Sequence, residues 1–184
     1  MLSAAELTEL IDGLAGLPYG GEQVDQRRHA LQCAAHAAAA GSDDELVLAA
    51  ALHDIGRAGP VRAEHPALPH EEAGAAFARA HVGDRVAWLI AQHVPAKRYL
   101  VATDEGYFGR LSPASVRSLE RQGGPMSADE VRQFAAHPLA RAAVALRQWD
   151  EAAKDPDGTD LPLPELLRVF DRYRTREGHS REPR

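Results

Sequence analysis

Residues 46–56 read LVLAAALHDIG, an apolar helical run that ends on an adjacent histidine and aspartate. Two ionisable groups closing so apolar a helix are costly unless something compensates them. Taken alone, His53-Asp54 also fits a helix C-terminal histidine beside a cap. The neighbours shift that reading. His29 lies mid-helix upstream, His70 opens the helix after the next loop, His93 closes the one that follows, and Asp150 sits on a late helix in RQWDEAAKD. His36, His65, His81, His137 and His179 lack such company. His36 competes, because it falls two turns after His29 on roughly the same face. The others occupy loop, tail or helix-boundary positions, where solvated or capping histidines are the norm.

Outward from this stretch the chain reads as helices throughout. Ser3-x-x-Glu6 is a capping box opening a short helix that closes near Gly16 to Pro18. EQVDQRRHALQCAAHAAAA is a long helical run stopped by Gly41, and Ser42-x-x-Glu45 is expected to cap the next helix. RAGPVRAEHPALP (residues 57–69) carries three prolines and is expected to be loop. HEEAGAAFARAH and DRVAWLIAQHV form two helices separated near Gly83, the second ended by Pro95. The connector AKRYLVATDEGYFGRL is the only stretch where a short strand is plausible. Ser112-Pro113 and Ser127-x-x-Glu130 open two further helices, a long one follows Pro138, and LPELLRVFDRYR forms the last. The expected architecture is all-α: one helical domain over residues 1–175, with 176–184 as a frayed tail.

Composition narrows the function. At 184 residues, 45% hydrophobic and 26% charged, the chain has the make-up of a soluble globular domain. The net charge of −6 argues against a nucleic-acid partner. No apolar run approaches the ~20 residues of a membrane span. MLSAAELTEL is acidic and amphipathic, unlike a secretion signal, so a cytoplasmic location is expected. Cys33 is the single cysteine, which excludes an intramolecular disulfide and a thiolate cage.

His29, His53, His70 and His93 with Asp54 and Asp150 make six nitrogen and oxygen ligands and no sulfur. Such a set suits iron or manganese, and also zinc. Six protein ligands exceed what one catalytic ion takes. With Asp54 bridging, they suffice for two ions with positions left open.

The order His29, His53-Asp54, Asp150 resembles the H…HD…D signature of HD domains, and His70 and His93 mark the subset that binds two metals. Within that subset the chain resembles the mixed-valent di-iron oxygenases that cleave the carbon–phosphorus bond of hydroxylated phosphonates, especially those acting on 2-amino-1-hydroxyethylphosphonate. More distantly it is similar to myo-inositol oxygenase. The resemblance rests on YGGEQVDQRRHALQ, SDDELVLAAALHDIG, HEEAGA, AQHVPAKRYL, LSPASVRSLERQGGPM and LRQWDEAAK, about 140 residues in all. It implies that His29, His53, Asp54 and Asp150 match the ligands of the HD core and His70 and His93 those of a second iron. It further implies that Tyr19 occupies an iron position before substrate arrives and that Glu22 meets the substrate's amine. Lys97, Ser115 and Arg147 would hold the phosphonate. Two irons, Fe(II) and Fe(III), with O2 as co-substrate, would oxidise the hydroxyl-bearing carbon and release phosphate and a carboxylic acid. Asp54 and Tyr19 would stand closest to that chemistry.

One departure bears on substrate. The residue after HDIG is typically histidine in that family, and here it is Arg57. An always-charged guanidinium there adds a phosphonate contact or favours a smaller or more anionic substrate. Read without the resemblance, Lys97 and Arg147 are equally solvated charge, Ser115 a first-turn serine, and Glu22 an acidic residue favouring a helix N-terminus. A metal-dependent HD phosphohydrolase is the competing function; it leaves Tyr19, Glu22 and Lys97 without a role. A polyol oxygenase would need more neutral hydrogen-bonding groups.

Overall fold

Side-chain caps set five of the helix starts among the described residues. Ser3 and Glu6 exchange side-chain and backbone bonds to open α1 (Ala4–Asp12), and Asp25 accepts from the Arg28 N–H to open α2 (Gln26–Ala39). Ten α-helices follow one another in this computed structural model, which describes residues 2–180, with side chains through residue 176; no β-strand occurs among those residues. α3 (Asp44–Leu52) is capped by Asp43, not by Ser42 as the sequence spacing predicts. Asp43 is one residue nearer the first turn, and its carboxylate also holds Arg85 at 2.8 Å.

Three further expectations change. α1 ends at Asp12, four residues before the Gly16 break. The proline-rich segment contains α4 (Gly59–Glu64), with Pro60 in its first turn, where the missing N–H costs nothing. α5 (His70–His81) then gives way at Gly83 to α6 (Asp84–Thr103), which runs straight through Pro95. Pro95 removes only the donor to the Ala91 carbonyl. Buried Val94, Ala96 and Leu100 keep the helix docked, so the first half of the connector, through Thr103, is helical, and turns and a 3₁₀ segment at Phe108–Arg110 follow where a strand had been plausible.

α7 (Pro113–Arg121) starts at the Ser112 cap and α8 (Ala128–Ala135) at the Ser127–Glu130 capping box. α9 (Ala140–Ala152) carries Asp150, and α10 (Leu163–Ser180) closes the described chain. α10 continues past residue 176, into the stretch expected to fray. Arg172 and Arg176 both reach Asp44, at 2.7 and 3.1 Å, and tie it to the body. Residues 181–184, the rest of the expected tail, lie outside the described residues.

Packing gathers the metal-ligand candidates. α5 lies along α6, α2 against α3, and α6 against α9. Leu48, Leu52, Ile55, Leu89, Ile90, Leu146, Leu166 and Phe170 are fully buried between them. The alanines of α3 are buried too, which lets neighbouring helices approach closely. Gly56 performs the tightest fit: a Cβ there would stand 2.0 Å from the His70 carbonyl oxygen. Only glycine lets the HDIG turn lie on the first turn of α5. No helix among the described residues is long and apolar enough to cross a membrane.

Candidate metal centre and active site

Helices α2, α3 and α9 bring His29, His53 and Asp150 together, and the end of α3 with α5 and α6 brings together Asp54, His70 and His93. Within each triad the ligand atoms lie within 4.8 Å of one another. All six residues expected from the sequence are therefore adjacent, and five are buried, His70 remaining half-buried. His36 is exposed, His81 packs on Phe77 and His137 stacks on Trp88 at 3.8 Å. His65 stays half-buried on the loop, and the His179 side chain lies outside the described residues.

The imidazoles are oriented from behind. Nδ1 of His29 faces the Ala153 carbonyl at 2.8 Å, that of His53 the Ala50 carbonyl at 2.8 Å, and that of His93 the Ile90 carbonyl at 2.7 Å. Nδ1 of His70 faces Glu71 Oε2 at 2.9 Å. Each partner only accepts, so each Nδ1 carries the proton and Nε2 is the ring atom turned to the centre. The Nε2 atoms meet head-on, His29 to His53 at 3.0 Å and His70 to His93 at 3.2 Å. Two ring nitrogens so close share a cation, a proton or a metal ion. The donor set fits a metal ion in each triad, with the Nδ1 partners fixing ring orientation.

Charge agrees. Burial pushes both carboxylic acids toward neutrality, yet Arg57, His70 and His53 outweigh it and hold Asp54 well below the usual range. Arg147 with His29 and His53 does the same for Asp150. Burial holds His53 and His93 on the low side, keeping them available as ligands. For His70 burial is outweighed by Asp54 and Glu71, which raise its pKa. Tyr19 stacks on the His29 ring at 3.8 Å and donates its O–H to Asp150 Oδ1 at 3.0 Å. Burial, then Asp150 and Asp54, keep it a phenol.

Above the triads lies an inner chamber lined by Tyr19, Asp54, Arg57, Lys97, Ser115, Ser118, Gln122 and Arg147. Lys97 Nζ donates to Ser118 Oγ at 2.6 Å, and Arg147 bonds to both Asp150 and Glu151. Ser115 Oγ donates to Glu151 Oε2 at 2.9 Å and accepts from Lys154 Nζ at 2.7 Å. Arg57 lies 3.1 Å from Asp54 Oδ2 at the chamber mouth. An outer chamber continues from it past Tyr19, Arg57, Ser115 and Ser118, and is lined further by Glu22, Arg117, Arg121 and Lys154. Glu22 lies there, 4.0 Å from Lys154 Nζ.

Sequence reading did not single out Ser118, Glu71, Glu151 or Lys154. Glu151 and Lys154 sit one and four positions beyond Asp150, so their charges read as a solvated helix end. Glu71 carried a findable signal, a carboxylate directly after a candidate ligand.

Comparison with known proteins agrees with this arrangement. The HD domain family matches residues 27–136, a span holding five of the six candidate ligands and ending before Asp150. A [1-hydroxy-2-(trimethylamino)ethyl]phosphonate dioxygenase (glycine-betaine-forming) of Leisingera caerulea is 38% identical over 168 residues, 85% of this chain and 84% of that protein. A hydroxymethylphosphonate dioxygenase of Gimesia maris is 40% identical over 147 residues, 76% of this chain and 72% of that protein. A protein of Acanthamoeba polyphaga mimivirus is 31% identical over 155 residues. The paired His/Asp triads and these relatives show that the chain belongs to the HD-domain family and is similar over most of its length to two phosphonate dioxygenases.

Proposed function

We propose that the protein is a di-iron oxygenase that cleaves the carbon–phosphorus bond of a 1-hydroxyphosphonate: R–CH(OH)–PO3(2−) + O2 gives R–COO(−) + H2PO4(−). Dioxygen takes up four electrons, from the C–H and C–P bonds. Candidate substrates are hydroxymethylphosphonate and 2-amino-1-hydroxyethylphosphonate or a close analogue. The carrying observation is the pair of facing triads opening directly onto Lys97 and Arg147.

His29, His53 and Asp150 would hold one iron and Asp54, His70 and His93 the other. Asp54 would bridge, since its Oδ2 also lies 3.9 Å from His53 Nε2. When bound, the Fe(II)/Fe(III) pair supplies Lewis acidity toward the hydroxyl and phosphonate oxygens and a redox site for O2. The protein's own groups do the rest. Lys97, Arg147 and Ser115 bind the phosphonate, the guanidinium offering a planar fork that suits a phosphonate edge. Ser118 aims the Lys97 ammonium, and Glu151 holds Arg147 and Ser115 together. Tyr19, as a phenol donating its O–H to Asp150, covers the His29 side of the centre, while Arg57 and Glu22 border the substrate's far end.

The test is to load the protein anaerobically with Fe(II), oxidise it partly and look for the paramagnetic signal of a coupled Fe(II)/Fe(III) pair. Phosphate release and oxygen uptake are then followed with both phosphonates. Oxygen-independent phosphate release from phosphate esters, with none from any phosphonate, would replace this reading with a phosphohydrolase.

A further inference from the structure

Lys154 lines the outer chamber beside Ser115, which faces both chambers, and its three N–H groups are all taken. Nζ lies 2.7 Å from Ser115 Oγ, 2.8 Å from Glu151 Oε1 and 3.3 Å from Ser112 Oγ. An ammonium has three donors, so none is left for Glu22. Glu22 Oε1 accordingly lies 4.0 Å from Nζ, buried and without a hydrogen-bond partner among the described residues. Lys154 and Glu22 are thus opposed in charge alone, in a place with little water, their side chains being 9% and 18% exposed. The other cations of the chamber do not fill this role. Arg57 is engaged by Asp54 at 3.1 Å, and Arg117 and Arg121 are exposed, where water and salt screen them. Lys154 also lies over the Tyr19 ring, 5.9 Å from its centroid. It therefore touches both the turn that leads to Glu22 and, through Ser115, the helix that faces the phosphonate.

We infer that Lys154 is a specificity-determining residue, a resident counter-charge to Glu22 that stands in for a cationic group on the substrate. The inference rests on the oxygenase reading above. A 1-hydroxyphosphonate with no substituent leaves Lys154 opposite Glu22 and the charge of the chamber unchanged. One ending in an ammonium brings Glu22 Oε1 the N–H it lacks, but it arrives beside a cation already there. Each cation then lowers what the other gains from the carboxylate. Lys154 thereby narrows the difference between the two kinds of substrate, and its removal should widen that difference in favour of the ammonium.

The experiment pairs binding with turnover. Calorimetry on the anaerobic iron-loaded protein compares methylphosphonate with 2-aminoethylphosphonate and reads the ratio of their Kd values. Lys154→Met should raise the preference for the amine at least tenfold over wild type. In a Glu22→Gln background the same substitution should leave the preference unchanged, because the charge that Lys154 opposes is gone. A merely structural lysine would weaken both ligands alike in either background. Lys154→Gln keeps N–H donors for Ser115 and Glu151 while removing the charge, and should repeat the result if Lys154→Met fails to fold. A preference that neither variant moves tenfold, or that moves equally in both backgrounds, would overturn the inference. Turnover separates the two readings. If hydroxymethylphosphonate releases phosphate with O2 uptake while the preference stays fixed, the inference falls and the oxygenase stands. If no hydroxyphosphonate releases phosphate while the preference shifts as expected, the oxygenase reading falls and the role of Lys154 stands.

Discussion

His53 and Asp54, adjacent in the chain, turn to different triads: His53 Nε2 lies 3.0 Å from His29 Nε2, and Asp54 Oδ1 lies 2.9 Å from His70 Nε2. One dipeptide thus joins the two halves of the centre. The backbone leaves α3 at His53 and enters a 3₁₀ turn, which swings the next side chain toward α5. Asp54→Ala should therefore cost both metal ions, taking iron from two per chain to below one by elemental analysis. Retention of two irons would rule out a bridging role.

Lys97 should give substrate binding an alkaline limit. Burial, with Arg147 second, lowers its pKa from the usual 10.5 to about 8. The charge a phosphonate needs is present below that value and lost as pH rises through it, so KM should climb above about pH 8 more steeply than kcat falls. Stability has the opposite sign. Between about pH 8 and 10.5 the unfolded chain binds the extra proton, so this group's penalty is relieved as pH rises. Lys97→Met should raise KM at least tenfold. It should also stabilise the fold by on the order of 1 kcal/mol, about 2–4 °C in Tm for a chain of this size.

Glu71 is the one carboxylate behind a ligand ring, the other three rings being held by backbone carbonyls. Glu71→Gln should weaken metal binding at the His70 triad by about 10–100-fold and spare the His29 triad. Competition titration with a chelator would resolve two unequal sites in the variant; equal weakening of both would count against the assignment.

Gly56→Ala places a methyl 2.0 Å from the His70 carbonyl oxygen and 2.8 Å from the Gly74 nitrogen. Both obstacles are backbone and cannot swing aside. The substitution should cost about 1–3 kcal/mol or more in thermal unfolding. It should also lower metal affinity, because α5 carries His70. A wild-type Tm in the variant would show that the turn relaxes freely.

What the sequence disclosed was local. Ser3, Ser112 and Ser127 mark helix starts through short-range hydrogen bonds, and the apolar run ending in His53-Asp54 marked the centre, while His36 still competed with His29. Tertiary context decided the remainder. Pro95 reads as a terminator, yet burial of Val94, Ala96 and Leu100 outweighs one lost hydrogen bond. Pro60 reads as loop, yet it sits in the first turn of α4. Glu151 and Lys154 are ordinary charges in a string of letters. They become part of a bonded cluster only because α7 delivers Ser112 and Ser115 to them from nearly forty positions away.

Two helices each carry one metal-ligand candidate and one cation a single turn apart: His93 with Lys97 on α6, and Arg147 with Asp150 on α9. A helical turn is about 5.4 Å and barely stretches, so each helix serves as a fixed ruler between centre and anion. The reacting end of the molecule is thereby gauged by rigid rods. The far end is bounded partly by the turn bearing Gly20 and by exposed arginines, where replacement is cheap. Such a division lets evolution exchange one substituent for another while bond cleavage keeps its dimensions.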